Sequence, residues 1–438
     1  FIDGRHPQLA PATVPAVLGS LGACRREIPG RFPPREARLR ALLGDAASAR
    51  ARDLVRRLAH PESVAVVAGI GPDLFGGPLA QFFKCLTAAQ VRDALVNHSI
   101  DAVAVVWIRP PSGGDAAEDR SFRILDPERR PHRFRVPPGP GADRDGRIRE
   151  RIPDLVAAVS DIGGGSFDPE ILGLMRSAYA PGGRGPSPGA RWLEDLLEAW
   201  DVLVVDSRSA GLREFWENAK PDMPGALAGS DPSGFCMQRL LLPVAACVLD
   251  CDDLQPFAET RTCLDALGVS LPLTCPAISA TLVDADSRRT LQRYRLDLRD
   301  LFDGEAALLG RLEGPLPGRS IGRALDGLER DFRRRLEALV PAPPGGGAVH
   351  EAWDDCRERV VFQLRKIRRR AESAASSRRK VLRRRLRRAC SSLAPGGGVQ
   401  QRRLAGIYFL LRHSRALLPS LYDGLDWGTL EHQSMEIP

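Results

Sequence analysis

Lysine is nearly missing from this sequence. Of its 63 basic residues only four are lysines, Lys84, Lys220, Lys366 and Lys380, and the rest are arginines. Together with abundant alanine, glycine and proline, that bias is the mark of a GC-rich genome, so an arginine run alone is weak ground for a phosphate contact. Long apolar runs are missing too. The longest uncharged stretch, residues 266–283, contains Gly268, Pro272 and Pro276, and a membrane helix needs about 20 predominantly apolar residues. No membrane span is expected, and no N-terminal signal pattern is present. A cytoplasmic location with reduced cysteines is the expectation. None of the nine cysteines forms a C-x-x-C pair. The nearest cluster, Cys247, Cys251, Cys263 and Cys275, has gaps of 4, 12 and 12, whereas zinc sites use tight knuckles in pairs. No metal site is expected, and the thiols read as buried packing residues. G-x-S-x-G, H-E-x-x-H and Walker signatures are absent, and seven scattered histidines assemble no triad from spacing.

What is present is a chain of 438 residues with a net charge of +8, long enough for two or three domains. Residues 1–60 read as short helices, with Leu39, Leu42, Leu43, Leu54 and Leu58 at helical spacing and Pro61 as the stop. Residues 61–300 read as a Rossmann-like open parallel sheet. Residues 64–69 are a continuous apolar run, as in a strand buried on both faces. A Gly/Pro-rich turn follows over residues 69–78, then an apolar-faced helix over residues 79–96, then a second apolar run over residues 102–108. Residues 202–206 and 244–249 would add strands to this α/β sheet. Residues 110–150 and 180–190, rich in proline, glycine and arginine, read as long loops. Residues 301–400 read as an α-helical coiled coil, because Val360, Leu364, Ile367, Ala371 and Ala374 step by 4, 3, 4 and 3. Two helices there should pair antiparallel. Residues 401–438 form a closing helix, over residues 404–421, and a tail returning to the core.

Three features carry chemistry. The turn at residues 69–78 sits at a strand's carboxyl end and leads into a helix N-terminus, a place suited to an anion, yet it matches neither G-x-G-x-x-G nor a P-loop. Lys84, on the following helix, is a compact cation retained in an arginine-rich chain. Residues 357–388 hold thirteen arginines and two lysines against two glutamates. Nucleic-acid binding is the obvious reading of such a helix, but Phe362 is its only aromatic, and a solvated coiled-coil face is the favoured one.

The stretch "VAVVAGIGPDLFGGPLAQFFKCLTAAQVRDAL…AVAVVWI" resembles the signature of the bacillithiol-biosynthesis cysteine-adding enzyme family. So do "MQRLLLPVAACVL" followed by "ISATLVDADSRRTLQRYRLDLRDLFDG", and the tail "QQRRLAGIYFLLRHSRALLPSLYDGLDW…EHQ". The resemblance implies a Rossmann-like core, a coiled coil that makes a homodimer, and a ligase joining cysteine to the amino-sugar acceptor glucosaminyl-malate, with ATP or another nucleotide as cosubstrate. By position, Gly69, Gly71, Gly76, Gly77 and Pro78 would wall the ligand site, with Trp107 at the end of the second strand. Lys84 would offer a cation to a phosphate or carboxylate, and Gln238 would stand at a strand edge. The chain departs from the family where a Gly-Gln-Gln turn is replaced by Gly69-Ile70-Gly71 and where an Asp-His-Asp run after Trp107 is missing. Asp115, Asp252 and Asp253 are the acids that could take over its catalytic role. The alternative reading is a catalytically degenerate relative serving as a dimeric binding or scaffold protein.

Overall fold

The computed structural model describes residues 14–25, 33–43, 47–109, 120–136, 144–180, 187–219, 234–313, 317–339 and 347–438. Its centre is a five-stranded, wholly parallel sheet. The strands are β1 (Val64–Ile70), β2 (Ala102–Ile108), β5 (Val202–Asp206), β6 (Val244–Leu249) and β7 (Leu273–Pro276), in the order β5-β2-β1-β6-β7. A hairpin of β3 (Arg120–Leu125) and β4 (Pro131–Val136) and a two-stranded sheet of β8 (Ala280–Asp284) and β9 (Gln433–Ile437) complete the set.

Every residue of β1, β2, β5 and β6 is buried, which is why these strands read as unbroken apolar runs rather than alternations. Alternation survives in which core layer each residue joins. Val64, Val66, Ala68 and Ile70 face one layer with the helix Leu79–Asn97, while Ala65, Val67, Val103, Val105 and Trp107 face the other with Leu240 and Phe257. A fully buried Phe83 or Leu86 contributes about 1.5–3 kcal/mol over its exposed state.

The strand order places the reversal of winding between β1 and β6. From β1 the chain steps to β2 and then to β5 on one side, and returns to lay β6 on the other side of β1, with β7 beyond it. The loops leaving the carboxyl ends of β1 and β6 therefore lie side by side, which is where open parallel sheets bind ligands.

Two stretches expected as loops contain regular structure. Residues 110–150 hold the β3–β4 hairpin and the start of the helix Arg144–Gly163, and residues 180–190 hold the start of the helix Pro188–Leu196. The hairpin is closed by Phe122 stacked on Phe134 at 5.1 Å between ring centres. At its turn Asp126 accepts from the backbone N–H of Arg130 at 2.8 Å and from its Nε at 2.7 Å. Burial raises the Asp126 carboxyl, but these bonds outweigh it and hold it below its ordinary value. The expected closing helix is two, Gly406–His413 and Leu417–Gly424, divided at Ser414 with φ +62°.

The chain divides into two compact units, residues 1–283 with 399–438, and residues 284–398. In the second, the helices Pro317–Leu339 and Gly347–Leu393 pack together. Arg368 pairs with Asp326 at 2.8 Å and Arg383 with Glu305 at 2.9 Å, so the long helix runs antiparallel to what precedes it. Among the described residues no helix is long and apolar enough to cross a membrane.

Candidate functional site

Lys84 stands on the helix that follows β1 and is 2% exposed. A buried ammonium is costly unless each proton finds an acceptor, and this one finds three. Lys84 Nζ donates to the Gly69 carbonyl at 3.2 Å, to Asp250 Oδ2 at 3.0 Å, and to Asp253 Oδ2. Gly69 is the penultimate residue of β1, and Asp250 and Asp253 lie on the loop leaving β6, so the lysine spans the switch point.

Asp253, 1% exposed, is equally well supplied. Besides Lys84 it accepts from Arg109 Nη1 at 2.8 Å and from the backbone N–H of Asp250 at 3.1 Å. Arg109 is the first residue after β2, and its N–H donates to the Ile70 carbonyl at 2.9 Å, extending the β1–β2 ladder by one rung. The cluster balances two cations against two carboxylates. Asp253 and Lys84 form its dry centre, while the side chains of Asp250 and Arg109 are 24% and 29% exposed and form its open side. Burial works against the Asp250 carboxylate, but Lys84 beside it prevails and holds its pKa below the ordinary value.

Gln238 completes the group. It lies on the helix Phe235–Leu241 and is 1% exposed, yet neither its Nε2 nor its Oε1 has a hydrogen-bond partner. Most buried side-chain amides are partnered, so an unpartnered one calls for an explanation. Its place supplies one: a β-carbon on Gly69 would meet Arg109 Nε at 3.6 Å and Gln238 Nε2 at 3.7 Å. The free amide and the partly exposed guanidinium therefore converge above the end of β1.

The remaining expected residues fall elsewhere. Asp252 is exposed on the rim and pairs with Arg402 at 3.0 Å. Asp115 lies outside the described residues. Trp107 is fully buried in the core layer on the Gly69 side of the sheet, and its indole N–H has no partner. Gly71 donates to Gln81 Oε1 at 3.1 Å, and Gln81 holds Asp73 at 2.5 Å. Gly71 also lines a cleft with Asp73, Ile108, Tyr179, Ser187 and Arg208. Gly76 and Gly77, with φ +81° and +72°, turn the chain and seat the C-terminal segment. The Gly406 N–H donates to the Gly77 carbonyl at 2.9 Å, and the Leu79 N–H to the Leu404 carbonyl at 3.0 Å. Pro78 bridges to Ala405 in the same contact.

Sequence reading passed over Arg109 and Asp250 as site residues. The signal was available: each is the first residue beyond a parallel strand, the position from which such sheets recruit functional side chains. Lys84 also differs from expectation, since its three protons are committed to protein acceptors and Arg109 is the cation with donors to spare. Among the described residues, no group of three or more acids, histidines or cysteines could hold a metal ion.

A doubly wound parallel sheet with a charged cluster and an unpartnered amide at its switch point defines an α/β protein. Residues 280–437 match the family model of the C-terminal coiled-coil domain of bacillithiol biosynthesis BshC. Over that stretch the chain is similar to the BshC family. It is 22% identical to a protein of Solibacter usitatus, over 87% of this chain and 86% of that one. It is 24% identical to one of Salinibacter ruber, over 88% and 85%, and 27% identical to one of Thermus thermophilus, over 67% and 72%. All three carry the name "Putative cysteine ligase BshC".

Proposed function

We propose that this chain is a ligase of bacillithiol biosynthesis that joins the carboxyl group of cysteine to the amino group of glucosaminyl-malate. One observation carries the reading: the Gln238 amide, buried and unpartnered, beside Arg109 and the Lys84–Asp253 pair at the switch point. A guanidinium and an amide side by side suit a substrate carboxylate, and the Asp250 carboxylate suits an ammonium group. The names of the relatives support the choice of cysteine as one substrate.

Amide formation from a carboxylate needs that carboxylate activated, and ATP is the proposed cosubstrate. A cysteine carboxylate oxygen attacks a phosphorus of ATP, releasing ADP or pyrophosphate. The acceptor amine then attacks the acyl carbon and expels phosphate or AMP. The proton lost by the amine leaves by the rim at Asp252, which is open to solvent.

Purified protein with cysteine, glucosaminyl-malate and ATP is expected to yield the amide by mass spectrometry, and a Gln238→Leu variant that remains folded is expected to lose it. No product from folded protein would overturn the reading for this acceptor. The same reading makes the protein a cytoplasmic homodimer paired through the long helix, where Phe362 and Ile367 are 62% and 51% exposed. Light scattering that returned the monomer mass of 47.7 kDa would remove the dimer.

A further inference from the structure

Cys236 and Cys263 belong to different helices, Phe235–Leu241 and Leu254–Ala266, and their sulfurs lie 2.6 Å apart. That is short of contact between unbonded sulfurs and beyond the S–S bond length of about 2.05 Å. No other two cysteines among the described residues share a hydrogen bond. The approach is set by packing: the same two helices also meet through Phe235 and Phe257, edge to face at 5.1 Å. Both helices serve the candidate site. Gln238 is two residues beyond Cys236, and Asp253 immediately precedes the helix that carries Cys263.

The other buried thiols look different. Cys85 and Cys275 are fully buried, and neither shares a hydrogen bond with a second cysteine. Cys236 is only half-buried while Cys263 is 4% exposed, so one sulfur of the pair is reachable and the other waits behind it.

We propose that Cys236 and Cys263 are a redox-reactive dithiol, closed to a disulfide by exchange with a low-molecular-weight disulfide and reopened by the corresponding thiol. The Cys236 thiolate attacks one sulfur of RSSR and expels RS⁻, leaving a mixed disulfide on the protein. The Cys263 thiolate attacks the Cys236 sulfur and expels a second RS⁻. The two thiols give up two electrons and two protons, and RSSR leaves as two RSH. The bond ties the helix bearing Gln238 to the helix that follows Asp253, so one wall of the candidate site is stapled to the other. The proposal stands on these two helices and does not depend on the ligase reading.

The test treats the full chain with oxidised glutathione without substrates, then maps peptides by mass spectrometry and measures the thermal midpoint. Wild type is expected to lose two hydrogens in a Cys236–Cys263 cross-linked peptide, to melt at a higher temperature, and to return to its starting state with reduced glutathione. Cys263→Ser is expected to stop at glutathione bound to Cys236, and Cys236→Ser to show neither product. Wild type that keeps both thiols free, or that carries glutathione on Cys236 without closing, overturns the proposal.

Discussion

Lys84, on the helix after β1, and Asp253, on the loop after β6, form an ion pair that ties the two sides of the switch point together in a place closed to water. Asp253 would be an uncompensated buried charge without the lysine. Arg109 alone would remain to offset it, from the open side.

Lys84→Met is therefore expected to cost about 3–5 kcal/mol of stability, the usual result of removing one partner of a buried pair. The double variant Lys84→Met/Asp253→Asn should recover most of that loss, because it removes the stranded charge together with its partner. Urea unfolding of both variants checks this; equal instability in the two would mean that the side chains act through packing rather than charge.

Gln238→Leu is expected to part stability from function. Its amide has no partner to lose, and removing a buried unsatisfied polar group leaves stability unchanged or raises it by up to about 1–3 kcal/mol. Product formation should fall about tenfold or more, the equivalent of ~1.4 kcal/mol. Full activity in the variant would make Gln238 a residue of the core.

Phe82 is gripped between two glycines. A β-carbon would come within 2.3 Å of its ring from Gly76 on one side and from Gly406 on the other. Gly406→Ala should be destabilising, and adding Phe82→Leu should rescue it by opening space. Gly76→Ala should stay destabilised by about 1–3 kcal/mol after the same rescue, because its φ of +81° strains any other residue. Thermal melts of the two pairs distinguish steric from backbone cost.

Acid should unfold the protein in two steps with separate causes. His432 bonds Ser279 at 2.7 Å and Thr281 at 2.8 Å, and burial lowers its pKa from 6.5. The unfolded chain thus takes up this proton first, so the contribution is present above pH 6.5 and lost as pH falls through the folded value. His432→Asn should flatten that step. Asp250 has its pKa lowered from 3.8, so its contribution holds at neutral pH and is lost only as pH falls below 3.8; Asp250→Asn should flatten this second step.

The four long parallel strands were legible because strands buried on both faces need unbroken apolar runs, and residues 64–70, 102–108, 202–206 and 244–249 are such runs. The β3–β4 hairpin was hidden because only alternate side chains are buried and arginines fill the rest, as in Arg133 and Arg135 flanking Phe134. The helix break at Ser414 left no proline or glycine to announce it. Gly69, Lys84, Asp253 and Gln238 could be named in advance as candidates, and the fold brings them together. Their partners could not, because 169 residues separate Lys84 from Asp253 and 144 separate Arg109 from it.

By itself the sequence determined that the core would be a parallel sheet followed by long helices, since hydrophobic periodicity is a local property that each segment carries with it. Only the tertiary structure decided which charges would share a dry pocket. Lys84 became the centre of an ion-pair cluster rather than a free cation because the winding of the sheet set Gly69, Asp250 and Asp253 around it, and a buried ammonium is stable only where the fold supplies an acceptor for each proton.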